Sequence, residues 1–293
     1  MKKIRNEMRF FLEYIVIKIL FLILFLIPIN AVSFIGGKIF VLFGPLSKYH
    51  QIAKSNYKKI FPLHSIKETN INIKKSWENI GKTIFEISIL NKLINNKNNK
   101  IKINGLENID KFITSKKPVI FFGIHQSNWE ICVPIIDQIG FNVGAIYRHI
   151  NNRHIDKIIF EKRTGSLISK DSFYTPKGKK SAKDILEAVK INKSVFLLID
   201  QKDSAGEDID FFNHKVKSQV GFLKIAKKYN MSLIPVQNIR EKDNSFSLTF
   251  HNPIKINDQD IKETILMEKI HKIIEQWIIN EPSQWFWQHN RFN

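Results

Sequence analysis

Residues 118–134, PVIFFGIHQSNWEICVP, decide the fold. Residues 119–123 form a continuous apolar run after a proline, which is typical of a strand buried on both faces inside a parallel sheet. The polar residues 125–128 include types that favour helix N-caps, and an apolar helical pattern then begins. The stretch therefore predicts a buried strand, a short loop and a helix.

Two residues of this stretch, His125 and Glu130, are candidates for chemistry. His125 follows the carboxyl end of the predicted strand, where open α/β sheets place their ligands. Glu130 falls in the first turn of the following helix, where the helix dipole favours a carboxylate. Because the chain reverses in between, we expect Glu130 to accept from one imidazole nitrogen and to leave the other free as a general base. The structural alternative is a strand-end histidine bonded to a backbone carbonyl.

Length and charge narrow the possible partners. The 293 residues are enough for one large α/β domain or two smaller ones. Lys and Arg number 46 against 27 Asp and Glu, and this net charge of +19 favours a phospholipid surface, a phosphorylated lipid, an acidic carrier protein or nucleic acid. The bland alternative is a solvated, lysine-rich surface. The single Cys132 excludes an internal disulfide and is expected to be a buried apolar residue.

Residues 1–60 are predicted to anchor the chain to a membrane. Nineteen uncharged residues separate Lys18 from Lys38, about the length of a spanning helix, but Pro28 interrupts them. Both flanks are basic, so the positive-inside rule disfavours moving either flank across the bilayer. We therefore expect two apolar helices, bent at Pro28, that enter one leaflet with their flanks on anionic headgroups. A single span and a wholly buried element are the alternatives; Glu13 and Lys18 disfavour a cleaved signal peptide.

Residues 61–98 are predicted to form a helical bridge, and residues 99–293 an α/β domain. Apolar positions recur at helical spacing over residues 66–93, and the polar segment 95–100, NNKNNK, is the candidate boundary. Beyond it, short apolar runs alternate with helical patterns, which predicts a mostly parallel sheet flanked by helices on both faces. The predicted strands are 101–103, 119–123, 143–147, 195–199, 233–237 and 246–251. The predicted helices are 128–139, 151–163, 179–191, 217–229 and 260–279.

Further polar residues follow the predicted strands and helices. Arg148 follows the third strand and Asp200 the fourth, while Arg163 and Lys170 lie around the loop after a helix. Parallel strands bring their carboxyl ends to one edge, so these residues are expected to converge on His125. The two arginines are candidates for phosphate or oxyanion binding, with solvated cations as the alternative. For Asp200 we favour a structural role, in which it accepts backbone amides.

Two groups of aromatic residues lie in the C-terminal third of the chain. Phe211 and Phe212 are either a core plug or a wall of an acyl groove. Trp285, Trp287 and Phe292 alternate in the C-terminal segment, where we favour packing on the fold over an interfacial role. The sequence contains no metal-ligand spacing and no glycine-rich phosphate loop.

Residues 125–130, HQSNWE, resemble the His-x4-Asp/Glu block of the glycerolipid and lysophospholipid acyltransferase superfamily. In its NWE form the block is similar to the lipid A secondary acyltransferases, the lauroyl and myristoyl transferases of lipopolysaccharide biosynthesis. The resemblance covers nearly the whole chain, since the other motifs occur in the family's order. His149 and Asn213 depart from it, because the family often has proline and a small or apolar residue there. The ordered motifs are Tyr147-Arg148, Arg163-x-Gly165 with Lys170, Asp200-Gln201, Phe211-Phe212 and the terminal W-x-W-x-H-x-R-F pattern.

The resemblance implies acyl transfer, without a cofactor or metal, from acyl carrier protein to a hydroxyl of a lipid A precursor. It implies that His125 is the base, that Glu130 orients it and that Arg163 steadies the thioester oxyanion or a lipid phosphate. The place implied is the cytoplasmic face of the inner membrane, among anionic lipids. The other members of the expected substrate- and oxyanion-binding set are Arg148, Asn128, Lys170 and Asp200.

Three other functions remain as alternatives. One is an acyltransferase that acts on another glycolipid or on a lysophospholipid. Another is a non-catalytic lipid-binding protein of the same fold. Nucleic-acid binding is disfavoured because no recognisable module accompanies the charge. A nucleophilic Ser127 is also disfavoured, since a serine that caps a helix start is ordinary.

Overall fold

The computed structural model describes residues 2–95, 100–256 and 260–292. The strands are β1 (Ile101–Asn104), β2 (Ile120–Gly123), β3 (Val143–Tyr147), β4 (Phe173–Pro176), β5 (Ser194–Leu198), β6 (Glu207–Phe211), β7 (His214–Ser218), β8 (Leu233–Arg240) and β9 (Phe246–Phe250). The helices are α1 (Lys2–Leu26), α2 (Ile29–Phe43), α3 (Tyr49–Ile60), α4 (Ile66–Glu86), α5 (Leu90–Ile94), α6 (Asp110–Thr114), α7 (Cys132–Gln138), α8 (Arg153–Thr164), α9 (Lys179–Lys190), α10 (Gly221–Lys228) and α11 (Glu263–Asn280).

A seven-stranded sheet forms the centre of the described part of the chain, in the order β1-β9-β8-β2-β5-β3-β4. Its neighbours pair in parallel except for β8 and β9, which run antiparallel. The predicted α/β class with a mostly parallel sheet is confirmed. β2, which precedes His125, lies in the middle of the order.

The apolar run of β2 is continuous because both faces of the strand are covered. Phe121 and Phe122 are both fully buried, yet they belong to different cores. Phe122 shares its core with Trp277 of α11, whereas Phe121 packs edge-on against Phe141, with ring centroids 4.9 Å apart. Successive strand residues point to opposite faces, so a strand between two layers must be apolar at every position.

Several elements differ from the prediction. The sequence pattern missed β4, a short edge strand that ends in proline, and the β6–β7 hairpin, in which charged and apolar residues alternate. Helix α10 begins at Gly221 and not at Lys217, because Lys217 lies in β7 opposite Asp208. The predicted domain boundary at 98/99 lies outside the described residues.

The apolar N-terminal stretch forms two helices, α1 and α2, which break at Pro28. Ile29–Leu46 is the segment of the described chain that is long and apolar enough to cross a bilayer. The alternative of a wholly buried N-terminal element is wrong. Helix α1 presents an exposed apolar stripe with the i, i+3, i+4 spacing of one helix face. The stripe consists of Met8, Phe11, Leu12, Ile15, Val16, Ile19, Leu22, Ile23 and Leu26.

Glycines bring α2 and α4 into unusually close contact. A Cβ atom on Gly81 would lie 2.2 Å from the carbonyl oxygen of Gly36, and a Cβ on Gly36 would lie 2.4 Å from that of Gly81. Neither position leaves room for a methyl group, since backbone atoms cannot yield as a flexible side chain does. The inner face of α2 is therefore part of the core of the protein, while its outer face is exposed.

We expect Gly81→Ala to lower the free energy of unfolding by about 1–3 kcal/mol, the usual cost of overpacking. Gly221→Ala is the matched control, because a Cβ there meets no atom within 4 Å. Thermal unfolding of the detergent-solubilised protein measures both. Equal melting temperatures for the two variants would contradict the close packing of α2 on α4.

Candidate functional site

The pairing of β2 with β5 brings His125 next to Asp200. The two strands are parallel neighbours, and Gly123 lies opposite Leu198. His125 comes two residues after Gly123, and Asp200 comes two residues after Leu198. The two residues therefore leave the sheet at the same edge and level. This is the edge at which the sequence predicted a ligand site.

Asp200 holds the imidazole of His125. Its Oδ1 lies 2.8 Å from Nδ1 of His125, and its Oδ2 accepts from the backbone amide of His125 at 3.0 Å. The indole of Trp285 donates to Oδ2 at 2.8 Å. Asp200 thus accepts a backbone amide, and it also binds the ring, which the sequence did not predict.

The charge state of Asp200 sets the tautomer of His125. Burial works to raise the pKa of Asp200, but the nearby His125 and the hydrogen bonds from His125 and Trp285 outweigh it and hold the pKa below its ordinary value. An ionised carboxylate can only accept, so Nδ1 carries a proton. In the neutral imidazole, Nε2 then carries the lone pair, as a general base requires.

Gln201 lies next to Nε2 of His125, and two aromatic rings lie near the imidazole. The amide nitrogen of Gln201 lies 3.2 Å from Nε2. The rings of Trp129 and Phe286 have centroids 5.1 Å and 6.0 Å from that of His125. The side chain of His125 is 15% exposed, so the imidazole is largely covered by its neighbours.

Glu130 does not bond to His125, in contrast to the expectation from spacing. Arg163 takes both of its carboxylate oxygens, with Nε donating at 2.7 Å and Nη2 at 2.6 Å, and the indole of Trp129 donates at 3.2 Å. The guanidinium offers two parallel donors where an imidazole offers one, so the carboxylate binds Arg163 in preference to His125. The orienting bond that we predicted for Glu130 is made by Asp200.

The Glu130–Arg163 pair is a buried pair of charges. Burial works to raise the pKa of Glu130, but the charge and hydrogen bonds of Arg163 outweigh it and leave the pKa below the ordinary 4.5. The opposite charge of Glu130 likewise outweighs burial and raises the pKa of Arg163. Arg163 therefore has two donors committed to Glu130, while its guanidinium lies 5.5 Å from the ring centroid of Tyr147.

We expect Glu130→Gln to destabilise the fold by about 3 kcal/mol at neutral pH, because it leaves the buried Arg163 charge without its partner. A carboxylate whose pKa is lowered by folding stabilises the folded state at pH values above its unfolded-state pKa. This stabilisation is lost as the pH falls through the folded-state pKa. The gap in melting temperature between wild type and variant should stay constant from pH 7 to about 5 and shrink below about 4.5. A gap that widens on acidification would contradict the lowered pKa.

Asn128 holds the loop and does not face the site, contrary to its expected place in the substrate-binding set. Its side chain is fully buried. Its Oδ1 accepts from the backbone amide of Glu130 at 3.1 Å, and its Nδ2 donates to Glu86 at 2.7 Å. Its carbonyl accepts from Asn238 at 2.6 Å. The side-chain oxygen and nitrogen of Asn128 therefore both help to fix the turn between β2 and α7.

A second buried ion pair, Glu86–Arg240, lies beneath this loop. Arg240 donates to both oxygens of Glu86, at 2.6 Å and 2.8 Å. Ser33 of α2 donates to the same carboxylate at 2.5 Å, as does Asn128 of the loop at 2.7 Å. One carboxylate thus links an N-terminal apolar helix to the loop that carries His125. The sequence reasoning missed this pair, although a glutamate on the buried stripe of α4 was a signal.

Arg148 and Lys170 are both exposed. Arg148 follows β3 and lies close enough for its charge to lower the pKa of His289, after the larger effect of burial. Lys170 borders a groove that reaches Tyr174, whose hydroxyl is buried. The groove is lined by Phe160, Thr164, Leu167, Ile168, Ser169, Lys170, Ser172, Phe173 and Tyr174.

Two reactive residue types near the loop are buried. Ser127 has no exposed surface, and its carbonyl accepts from Thr83 at 2.9 Å, which places it in the core and speaks against a nucleophile. Burial, followed by the charge of Glu130, raises the pKa of Cys132 to about 12, so the thiol is a small apolar residue as predicted. Residues 2–95, 100–256 and 260–292 contain no cluster of three potential metal ligands.

The aromatic residues of the C-terminal segment pack on the fold, as predicted. Trp285 and Trp287 are buried, with ring centroids 4.6 Å apart. Phe211 is fully buried and stacks on Phe292 at 5.9 Å, so it is a core residue. The segment also closes the site, because the backbone of Phe286 donates to the carbonyl of His125 at 2.9 Å.

Known proteins resemble this chain over nearly its full length. It is 23% identical over 279 residues to the lipid A biosynthesis palmitoleoyltransferase of Escherichia coli K12 and to the lipid A biosynthesis acyltransferase of Shigella flexneri, which covers 91% of this chain and 86% of each relative. The fold has a TM-score of 0.39 and 14% identity to the 1-acyl-sn-glycerophosphate acyltransferase PlsC of Thermotoga maritima, over 79% of this chain and 96% of that one. The sequence model of the bacterial lipid A biosynthesis acyltransferases matches residues 1–293. The chain therefore belongs to the bacterial lipid A biosynthesis acyltransferases.

Proposed function

We propose that the protein transfers a fatty acyl chain from the thioester of acyl carrier protein to a hydroxyl of a lipid A precursor. The observation that carries the proposal is the His125–Asp200 contact at 2.8 Å, at the carboxyl edge of the sheet. It leaves Nε2 as the basic nitrogen of a ring whose side chain is 15% exposed. Family membership supports acyl transfer in lipid A biosynthesis.

His125 is the general base in this proposal. Nε2 takes the proton of the acceptor hydroxyl as its oxygen attacks the thioester carbonyl, and the tetrahedral intermediate then expels the thiolate. The imidazolium returns the proton to the leaving sulfur, so no acyl-enzyme is needed. A thioester is already activated, and a positioned base contributes about 10² to 10⁴ in rate. Asp200 stabilises the imidazolium that forms.

Charged residues near His125 have supporting roles. Glu130 adds a negative charge near the imidazolium, and Arg163 fixes that carboxylate through Nε and Nη2. In the proposal, Nη1 of Arg163 donates to the thioester oxyanion or to a lipid phosphate. The exposed Arg148 is suited to a phosphate of the acceptor. Lys170 stands at the groove beside Tyr174, which we assign to a hydrocarbon chain because apolar side chains line most of it.

The membrane anchor of the proposal is a pair of in-plane helices at the cytoplasmic face of the inner membrane. The exposed stripe of α1 and the exposed outer face of α2 support this placement. The inner face of α2 is packed on α4 through Gly36 and Gly81, so a spanning α2 would have to leave the core. The net charge of +19 suits anionic headgroups and an acidic carrier protein.

Mass spectrometry tests the function directly. Lipid A is compared in a host that lacks its own late acyltransferase, with and without this protein. We expect a mass gain of one acyl chain, which also gives the chain length. Lipid A of unchanged mass, with the protein folded and in the membrane fraction, would contradict the proposal. A gain on a different glycolipid or lysophospholipid would reassign the acceptor, and lipid binding without turnover would indicate a non-catalytic protein.

A further inference from the structure

Gln201 occupies the hydrogen-bonding position of the proposed base. Its amide nitrogen lies 3.2 Å from Nε2 of His125. Because Nδ1 donates to Asp200, Nε2 of the neutral ring can only accept, and the amide of Gln201 is its donor. A neutral imidazole has a single acceptor site, so this bond uses the lone pair on which general-base catalysis depends.

The residues on both sides of Gln201 are held by hydrogen bonds. Asp200 before it is bonded to His125 and Trp285. The backbone amide of Lys202 after it donates to Nε2 of His289 at 2.9 Å. The side chain of Gln201 is half-buried and reaches His125 through one hydrogen bond. A substrate hydroxyl can therefore displace the amide without moving the chain.

We propose that Gln201 is a positioning residue that shields Nε2 from water until the acceptor hydroxyl displaces it. The aromatic rings of Trp129 and Phe286 lie 5.1 Å and 6.0 Å from the imidazole, centroid to centroid. The amide occupies the hydrogen-bonding position at Nε2 that a water would otherwise take. The inference rests on the proposed function and extends it, because it concerns which hydroxyl the base activates.

The shield matters because water competes with the acceptor for a thioester. If His125 deprotonates a water, the water oxygen bonds to the thioester carbonyl carbon and the carbon–sulfur bond breaks. The proton passes through the imidazole to the thiolate, and a free fatty acid and a thiol are released. Enzymes that handle activated acyl groups suppress this reaction by excluding water from the base.

Thioester hydrolysis by the full chain in detergent provides the test. Gln201→Ala should raise hydrolysis of an acyl carrier protein thioester, relative to transfer, by about tenfold, the effect of one hydrogen bond. The control is Gln138→Ala, at the end of α7, whose amide bonds to Asn95. The double variant His125→Ala, Gln201→Ala should lose the added hydrolysis. An unchanged ratio in a folded Gln201→Ala, or added hydrolysis that persists without His125, would overturn the proposal.

Chemical labelling separates the shield from the transfer reaction. Diethyl pyrocarbonate acylates unprotonated imidazole nitrogen, and peptide mass spectrometry reads the rate at His125. Gln201→Ala should label faster at His125 than wild type, while labelling at His251 stays the same. Equal rates at His125 would overturn the shield even if the chain transfers acyl groups. Faster labelling would support it even if the acceptor proved to be another lipid.

Discussion

His125→Ala is expected to lower acyl transfer by at least about 10²-fold while the protein stays folded. The reason is the loss of the general base, which contributes about 10² to 10⁴ in rate. The side chain lies at the sheet edge, partly exposed, so its removal leaves no large core cavity. Transfer from acyl carrier protein thioester to a lipid A precursor, with circular dichroism as the check on folding, measures the effect.

His251→Ala is the matched control for this variant. His251 follows β9, two strands away from β2 in the sheet, and stacks on Trp277 with ring centroids 5.2 Å apart. We expect it to keep near wild-type turnover. If His125→Ala kept near wild-type turnover as well, the imidazole would not be the base, whatever the family of the chain.

Asp200→Asn is expected to reduce transfer by about 10² to 10⁴, although it preserves the shape of the side chain. An asparagine at this position can donate to Nδ1 and so favours the tautomer with the proton on Nε2. That tautomer has no lone pair where the acceptor hydroxyl arrives. The effect should fall on kcat more than on KM, because the change alters the base and not the binding surface.

The same experiment decides between Asp200 and Glu130 as the orienting carboxylate. Asp208→Asn, at an exposed position of the β6–β7 hairpin, is the control for the substitution itself. We expect Asp200→Asn to change kcat more than Glu130→Gln does. A larger loss of kcat for Glu130→Gln, measured on folded protein, would return the orienting role to Glu130 and contradict the assignment to Asp200.

The position of His125 and Asp200 at one edge of the sheet could be predicted because it depends on local sequence patterns. A continuous apolar run predicts a buried strand, and parallel strands end at one edge. This placed His125 and Asp200 at the same edge without knowledge of their contact. The strand β4 and the β6–β7 hairpin escaped prediction because short edge strands with proline or alternating charges lack that apolar signal.

The hydrogen-bond partner of each carboxylate could not be predicted from the sequence, because it depends on contacts between residues far apart in the chain. Glu130 lies five positions from His125, yet its carboxylate binds Arg163 of α8. Arg163 is 33 positions further along the chain. Asp200 reaches His125 from 75 positions away through the register of β2 with β5. Spacing along the chain therefore predicted the wrong carboxylate as the hydrogen-bond partner of His125.

The hydrogen bond from Ser33 to Glu86 has a consequence for making shortened forms of the protein. If α1 and α2 were deleted to obtain a soluble enzyme, Glu86 would lose a donor and Gly81 and Phe85 would lose their cover. Glu86 also binds Asn128, so the damage would pass to the turn that carries His125. Protein that keeps α1 and α2, in detergent or nanodiscs, is therefore the form to purify, because these helices help to hold the loop that carries His125.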